Sequence, residues 1–136
     1  MAFDFTHFVD VAEELLTAPT TFPRACLRAA GGRAYYGTYG FLRSRLITEV
    51  GDCFNRRGKH RELINHCEQS SSPHIQRIGK RLATLYALRV RSDYDHEDAS
   101  DPTQTEVETM IDLAKKACEK IANLHHADVK SIHGSF

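Results

Sequence analysis

The stretch that decides the fold covers residues 73–95 and reads PHIQRIGKRLATLYALRVRSDYD. At 100° per residue, its apolar side chains fall within about 60° of one line on a helix surface. These are Ile75, Ile78, Leu82, Leu85 and Tyr86. The stretch therefore predicts a long amphipathic helix that begins near Pro73 and faces a core with this stripe.

Two more helices are indicated before this stretch. Apolar residues recur at helical spacing between residues 5 and 16, and Ala18-Pro19 stops the pattern because proline cannot continue a helix. A second helix is expected to start at Thr21-Phe22-Pro23, with the proline in its first turn, and to run as far as Gly51. We expect this long helix to be central in the fold.

Two further helices complete the predicted set. Residues 59–67 form one short helical candidate. The last long helix is expected to start near Asp101, with the aspartate as its N-cap and Pro102 in its first position. No alternation of apolar and polar residues predicts a strand. The expected fold class is all-α, an antiparallel helical bundle of four long helices plus one short helix.

Length and composition indicate one domain. A chain of 136 residues with 41% hydrophobic side chains can build a single buried core. We expect this core to take in residues 4–126 and the tail 127–136 to be flexible. No stretch approaches the ~20 apolar residues of a membrane-spanning helix, and residues 1–4 lack the basic start of a secretory signal. We therefore expect a cytoplasmic protein.

The predicted second helix is rich in small residues. Residues 29–32 read AAGG, and Gly37 and Gly40 follow, although each helical glycine costs roughly 0.5–1 kcal/mol relative to alanine. We therefore expect another element to pack very close to this face. The same helix carries three tyrosines, which we expect to line contacts between helices rather than to stack on a ligand. They are Tyr35, Tyr36 and Tyr39.

The charges cancel overall but are segregated along the chain. Residues 24–91 hold 14 Lys and Arg against four acidic residues, residues 1–23 hold four acidic residues alone, and residues 92–136 hold ten against four lysines. The basic middle could attract a polyanion, or it could pair with acidic helices of the same fold or of a partner. Its densest cluster is interpreted either as a binding site for RNA phosphates or as a solvated loop. This cluster consists of Arg56, Arg57, Lys59, His60 and Arg61.

The core stripe of the 73–95 helix becomes charged at its end. Counted from Leu82, Arg89 comes at about −20°, Asp93 at about +20° and His96 at about −40°, whereas Arg91 lands near 180°. A surface salt bridge between Arg89 and Asp93, four residues apart, is one interpretation. The other places Arg89 and His96 around a shared substrate phosphate in a cleft.

Three motifs in this order resemble the HEPN proteins. Residues 33–37 (RAYYG) are similar to the family's frequent R-A-Y-Y-A run, and residues 58–60 (GKH) are similar to its K-x-H or K-H element. Residues 85–95 (LYALRVRSDYD) resemble the L-Y-x-L-R-x-x-A-D-Y-D signature of one HEPN subgroup. The order and spacing of the three motifs make the resemblance specific.

The resemblance implies a bundle that forms a homodimer, in which an arginine and a histidine with four to six residues between them meet their symmetry mates in a cleft. Catalytic members cleave RNA there without a metal ion, in toxin or defence systems. Arg89 with His96 fits this spacing, and so does Arg91 with His96, but the helical count favours Arg89. Asp93 would orient the arginine or tune the histidine, and Tyr94 would pack at the dimer seam.

A non-catalytic HEPN module that binds a nucleotide, an RNA or a partner such as a nucleotidyltransferase is the alternative. Val90 stands where catalytic members commonly have Asn, Asp or His, and Asp98 stands where the toxin branch has a modifiable tyrosine. No metal or other cofactor is expected, because the four cysteines form no C-x-x-C pair and the C-terminal histidines lack a further ligand at suitable spacing.

Overall fold

The computed structural model describes residues 3–51, 60–94, 97 and 101–133. Within this part the chain forms six α-helices and no strand, which confirms the all-α fold class. The helices are α1 Thr6–Thr17, α2 Pro23–Val50, α3 His60–Glu68, α4 Pro73–Tyr94, α5 Gln104–Ala122 and α6 His126–His133. None of these described helices is both long enough and apolar enough to cross a membrane.

Helix α2 lies at the centre of the bundle, as expected, and contacts α1, α4, α5 and α6. Its apolar side chains meet the α4 stripe and one face of α5 in a single core. The largest fully buried members are Tyr35, Leu42 and Leu46 from α2, Leu63 from α3, Ile75, Ile78, Leu82 and Leu85 from α4, Val107 and Ile121 from α5, and Val129 and Ile132 from α6. The periodicity of residues 73–95 therefore identified the core-facing side of α4 correctly.

The glycines of α2 allow close helix packing at two places. A Cβ atom on Gly37 would lie 2.6 Å from Cγ2 of Val9 and 3.0 Å from the backbone oxygen of Phe5, both of which pack there from the α1 side. A Cβ atom on Gly31 would lie 2.9 Å from Oγ of Ser92 in α4. The distances of 2.6 and 2.9 Å are shorter than a Cβ atom tolerates, which confirms the expected close approach.

Asp101 does not cap the last long helix, and the prediction that it does was wrong. The N-cap of α5 is Thr103, whose Oγ1 accepts a hydrogen bond from the Glu106 backbone N–H at 3.1 Å, while the Glu106 carboxylate accepts one from the Thr103 N–H. This reciprocal capping box satisfies two orphan donors at once. Asp101 instead forms ion pairs with Arg24 and Arg28 near the start of α2.

The prediction of a flexible tail over residues 127–136 is corrected as well, because residues 126–133 form α6. Val129 and Ile132 are fully buried, so the core extends beyond residue 126. Two hydrogen bonds hold the helix against the turn before α4. The Ser72 hydroxyl donates to Asp128 at 2.8 Å, and the hydroxyls of Ser70 and Ser131 lie 2.7 Å apart. Two apolar residues in a polar segment were too weak a pattern to predict this helix.

Replacing Gly37 with alanine is expected to lower the free energy of unfolding by about 1–2 kcal/mol. Overpacking against α1 costs roughly 1–3 kcal/mol, and the helix propensity gained offsets only about 0.5–1 kcal/mol of it. Urea unfolding followed by circular dichroism measures the change. The control is Ala87→Gly at an exposed position in α4, which reports the propensity term alone. A Gly37→Ala variant more stable than the native chain would contradict the close contact.

Candidate functional site

The charged end of α4 is helical as far as Tyr94, so Arg89, Arg91 and Asp93 keep the spacing of a regular helix. The candidate catalytic His96 lies outside the described residues. The same holds for three members of the candidate RNA-binding cluster, Arg56, Arg57 and Lys59. The geometry of the site is therefore built from α2, α3 and the last turns of α4.

Arg89 is almost completely buried, with 9% of its surface exposed. Its Nη2 donates hydrogen bonds to the hydroxyl of Tyr36, at 2.5 Å, and to that of Tyr94, at 3.1 Å. The guanidinium carbon lies 5.0, 5.1 and 6.0 Å from the ring centres of Tyr36, Tyr94 and Tyr86. We call these three residues the tyrosine cage. Cation–π attraction and two hydroxyl acceptors thus hold the arginine in place.

Asp93 provides a carboxylate close to this cation. Its Oδ2 lies 3.2 Å from Nε of Arg89, but the angle does not make a hydrogen bond, and Nε has no hydrogen-bond partner within the described structure. The Asp93 side chain is 34% exposed, so the pair is neither a surface salt bridge nor a buried one. Burial acts to lower the pKa of Arg89, but Tyr36, Tyr94 and Asp93 outweigh it and raise the pKa. The guanidinium therefore stays charged.

Arg91 lies in a different environment from Arg89. Its Nη2 forms an ion pair with Oε1 of Glu106, the residue that completes the capping box of α5. This hydrogen bond lowers the pKa of Glu106. The two arginines are about 200° apart on α4, so each meets a different neighbouring helix. The ion pair of Arg91 with Glu106 connects the end of α4 to the start of α5, whereas Arg89 forms its hydrogen bond with Tyr36 of α2.

His60, the first residue of α3, packs against four tyrosine rings. The ring centres lie 4.3, 5.6, 6.0 and 6.2 Å away, and they belong to Tyr39, Tyr35, Tyr36 and Tyr86. The Tyr35 hydroxyl lies 2.8 Å from Nδ1 of His60. Burial raises the pKa of Tyr35, so its hydroxyl keeps its proton.

Burial also lowers the pKa of His60, and the positive charges of Arg89 and Arg43 lower it further. His60 and Arg89 share two tyrosine neighbours, Tyr36 and Tyr86. The histidine expected in the RNA-binding cluster thus packs against two tyrosines of the cage. This location was not visible in the sequence, because Tyr36, His60 and Tyr86 come from three different helices.

A groove of about 850 Å³ lies between α3 and α4, beside the cage. Its floor is apolar and formed by Ile64, Ala83, Ala87 and Val90. Tyr86 and Tyr94 line the side next to Arg89, and Tyr94 is 60% exposed. Polar groups around the groove come from Arg61, Asn65, Glu68, Arg91 and Glu97. Arg61 is exposed, and its guanidinium lies 5.8 Å from the ring centre of Tyr86.

Comparisons with protein-family models, with curated proteins and with solved structures found no match to this chain. The resemblance to the HEPN proteins therefore depends on the three motifs alone. All three motifs contribute to the described site, since Tyr36 lies in the first, His60 in the second, and Arg89 and Tyr94 in the last. The function of the site is therefore inferred from its geometry and its chemistry.

The lowered pKa of His60 predicts a dependence of stability on pH. Because the unfolded chain binds a proton at this position more readily than the folded chain, the free energy of unfolding falls as the pH drops below 6.5, the ordinary histidine value. We expect His60→Gln to reduce the stability lost between about pH 7.5 and about pH 5.5. Urea unfolding at the two pH values measures the difference.

The matched control is His125→Gln, at an exposed position between α5 and α6, which should keep the native pH dependence. A His60→Gln variant that loses as much stability on acidification as the native chain would show that this histidine is not held neutral by its burial and by the nearby arginines.

Proposed function

We propose that this chain is a HEPN-type, metal-independent endoribonuclease of a toxin or defence system. Arg89 and His96 would act on RNA in a cleft formed by two copies of the chain. The observation that carries the proposal is the charged guanidinium of Arg89, held at 9% exposure by the tyrosine cage and Asp93. Burying a cation is costly unless nearby groups offset the cost, as the tyrosines and Asp93 do here, and such arrangements concentrate at functional sites.

The chemistry assigned to the pair follows from the two residue types. The 2′-hydroxyl oxygen of a ribose attacks the adjacent phosphorus, the bond from phosphorus to the 5′-oxygen breaks, and a 2′,3′-cyclic phosphate remains. His96 would take the proton from the 2′-hydroxyl or give one to the departing 5′-oxygen. Arg89 would stabilise the negative charge on the phosphate, as a guanidinium fork does best.

The hydrogen bonds of Arg89 leave one terminal nitrogen for such a phosphate. Nη2 donates hydrogen bonds to Tyr36 and Tyr94, and Nε lies 3.2 Å from Oδ2 of Asp93. Nη1 makes no hydrogen bond to the part of the chain that the structure describes. Nη1 is also not among the buried atoms that lack a partner. The cage would thus fix the orientation of the arginine while Nη1 remains for a ligand.

A purely structural role for Arg89 makes a different prediction. The hydrogen bond to Tyr36 joins α4 to α2, and an arginine kept only for this purpose would matter for stability alone. Because hydrogen bonds to charged groups contribute about 1.5–3 kcal/mol, truncating Arg89 is expected to lower stability in either case. Activity per folded molecule is therefore the quantity that separates the two roles.

The second candidate is a non-catalytic HEPN module that binds a nucleotide, an RNA or a partner protein. The α3–α4 groove favours it, because about 850 Å³ lies within the usual range of small-molecule pockets. Tyr94 offers an exposed ring on which a nucleobase can stack. Of the residues expected to bind RNA, Arg61 is the exposed one at this groove, whereas His60 is engaged by the tyrosines.

The proposal predicts cleavage of mixed RNA by the purified chain in excess chelator, with products that end in a 2′,3′-cyclic phosphate. Arg89→Ala and His96→Ala are each expected to lower kcat/KM by about 100-fold or more, because one removes charge stabilisation and the other the proton transfer. Gel analysis of end-labelled RNA gives the rates. The concentration of folded enzyme is taken from circular dichroism.

Two controls accompany this assay. Lys80→Ala removes a cation from an exposed position of α4 and should leave the rate unchanged. Arg91→Ala tests the second possible spacing, and we expect a smaller effect because Glu106 already binds this arginine. Cleavage that survives both Arg89→Ala and His96→Ala would refute the proposed pair. A native chain that binds RNA without cleaving it would favour the binding module.

A further inference from the structure

A second cavity lies away from the tyrosine cage, near the start of α4. It holds about 320 Å³ between the first turns of α4 and the junction of α5 with α6. Its charged and titratable lining consists of His74, Arg77, Arg81, Lys120, His125 and Asp128. We call this cavity the α4–α6 pocket. Along α4, Arg77 is about 18 Å from Arg89, so the pocket is separate from the proposed catalytic site.

The α4–α6 pocket carries an excess of positive charge. The side chains of Arg77, Arg81 and Lys120 make no hydrogen bond or ion pair to any described residue. The acidic group that lines the pocket, Asp128, already accepts hydrogen bonds from the Ser72 hydroxyl at 2.8 Å and from the His125 backbone N–H at 3.2 Å. The lining of the pocket therefore combines three permanent cations with one carboxylate, which already accepts two hydrogen bonds.

The helix ends at the pocket do not cancel this charge. The C-terminal end of α5 would contribute negative carbonyl groups, but Nη1 of Arg45 in α2 binds the carbonyls of Ile121 and Leu124, at 2.7 and 2.9 Å. Helix α6 begins at His126, directly after the pocket residue His125, so its positive end is turned to this region. A concave wall concentrates the resulting field.

We propose that the α4–α6 pocket binds a phosphate group of a phosphate ester. Two arginines can each offer a planar fork that matches phosphate oxygens, and Lys120 adds a point charge. A volume of about 320 Å³ is at the small end for ligand pockets, which suits a compact anion better than a large ring system. The phosphate can belong to an RNA strand or to a free nucleotide, and the site works without Arg89.

The experiment uses the full chain carrying Arg89→Ala, so that RNA cleavage cannot affect the readout. Inorganic phosphate is titrated while amide resonances are followed by NMR, and a fluorescent single-stranded RNA is titrated in chelator by anisotropy. Phosphate is expected to shift amides of the pocket, such as those of Lys120 and Asn123. Arg81→Glu is expected to weaken binding by about tenfold or more, since it removes a charge-assisted contact and adds a repulsive one.

The matched control is Lys80→Glu, which makes the same charge change one residue earlier, about 100° around α4 and outside the pocket lining. It should weaken binding by less than about twofold, as expected for a charge that acts only through solvent. Arg81→Gln serves as a second variant if the charge reversal disturbs folding, and it should weaken binding in the same direction.

The two titrations separate the sources of phosphate. Loss of both phosphate and RNA binding in Arg81→Glu assigns the pocket to an RNA strand, whereas loss of phosphate binding alone assigns it to a small phosphate ester. The inference is overturned if phosphate shifts no pocket amide, if a glutamate-rich peptide competes as well as phosphate, or if Lys80→Glu matches Arg81→Glu. None of these failures touches the proposed cleavage at Arg89, which is measured independently.

Discussion

Helices α2 and α4 approach each other closely where Gly31 and Gly32 lie against Ser92 and Asp93, and the Arg89 site depends on this approach. A Cβ atom on Gly31 would come within 2.9 Å of the Ser92 hydroxyl, and one on Gly32 within 3.3 Å of the Asp93 carboxylate. The absence of side chains lets the last turn of α4 lie directly on α2. At this separation Arg89 reaches the Tyr36 hydroxyl.

This approach also explains why two arginines of one helix end have different surroundings. Arg89 points to α2 and is enclosed by the tyrosine cage, whereas Arg91, about 200° further round, pairs with Glu106 of α5. The backbone carbonyl of Ser92 accepts a hydrogen bond from Arg28 of α2, which in turn binds Asp101. The end of α4 is thus bound both to α5, through Arg91, and to α2, through Arg28, and these contacts fix the helix end that carries Arg89.

Several of the charges that are segregated along the sequence form ion pairs within the fold. Arg24 and Arg28 pair with Asp101, Arg91 pairs with Glu106, and Arg45 pairs with Glu49 while it also caps α5. Arg24, Arg28 and Arg91 of the basic middle thus pair with acidic residues of the C-terminal segment. Described cations outside these ion pairs include Arg61 at the α3–α4 groove and Arg77, Arg81 and Lys120 at the α4–α6 pocket.

The sequence by itself determined the all-α class, the start of α2 at Pro23 and of α4 at Pro73, and the position of Arg89 and Asp93 on the core-facing stripe. These follow from local spacing and from proline geometry. Only the tertiary structure decided that Tyr36, Tyr86 and Tyr94 enclose Arg89, that His60 packs beside them, and that Thr103 rather than Asp101 caps α5. Contacts between residues far apart in the chain depend on how helices pack, and helical periodicity carries no information about partners.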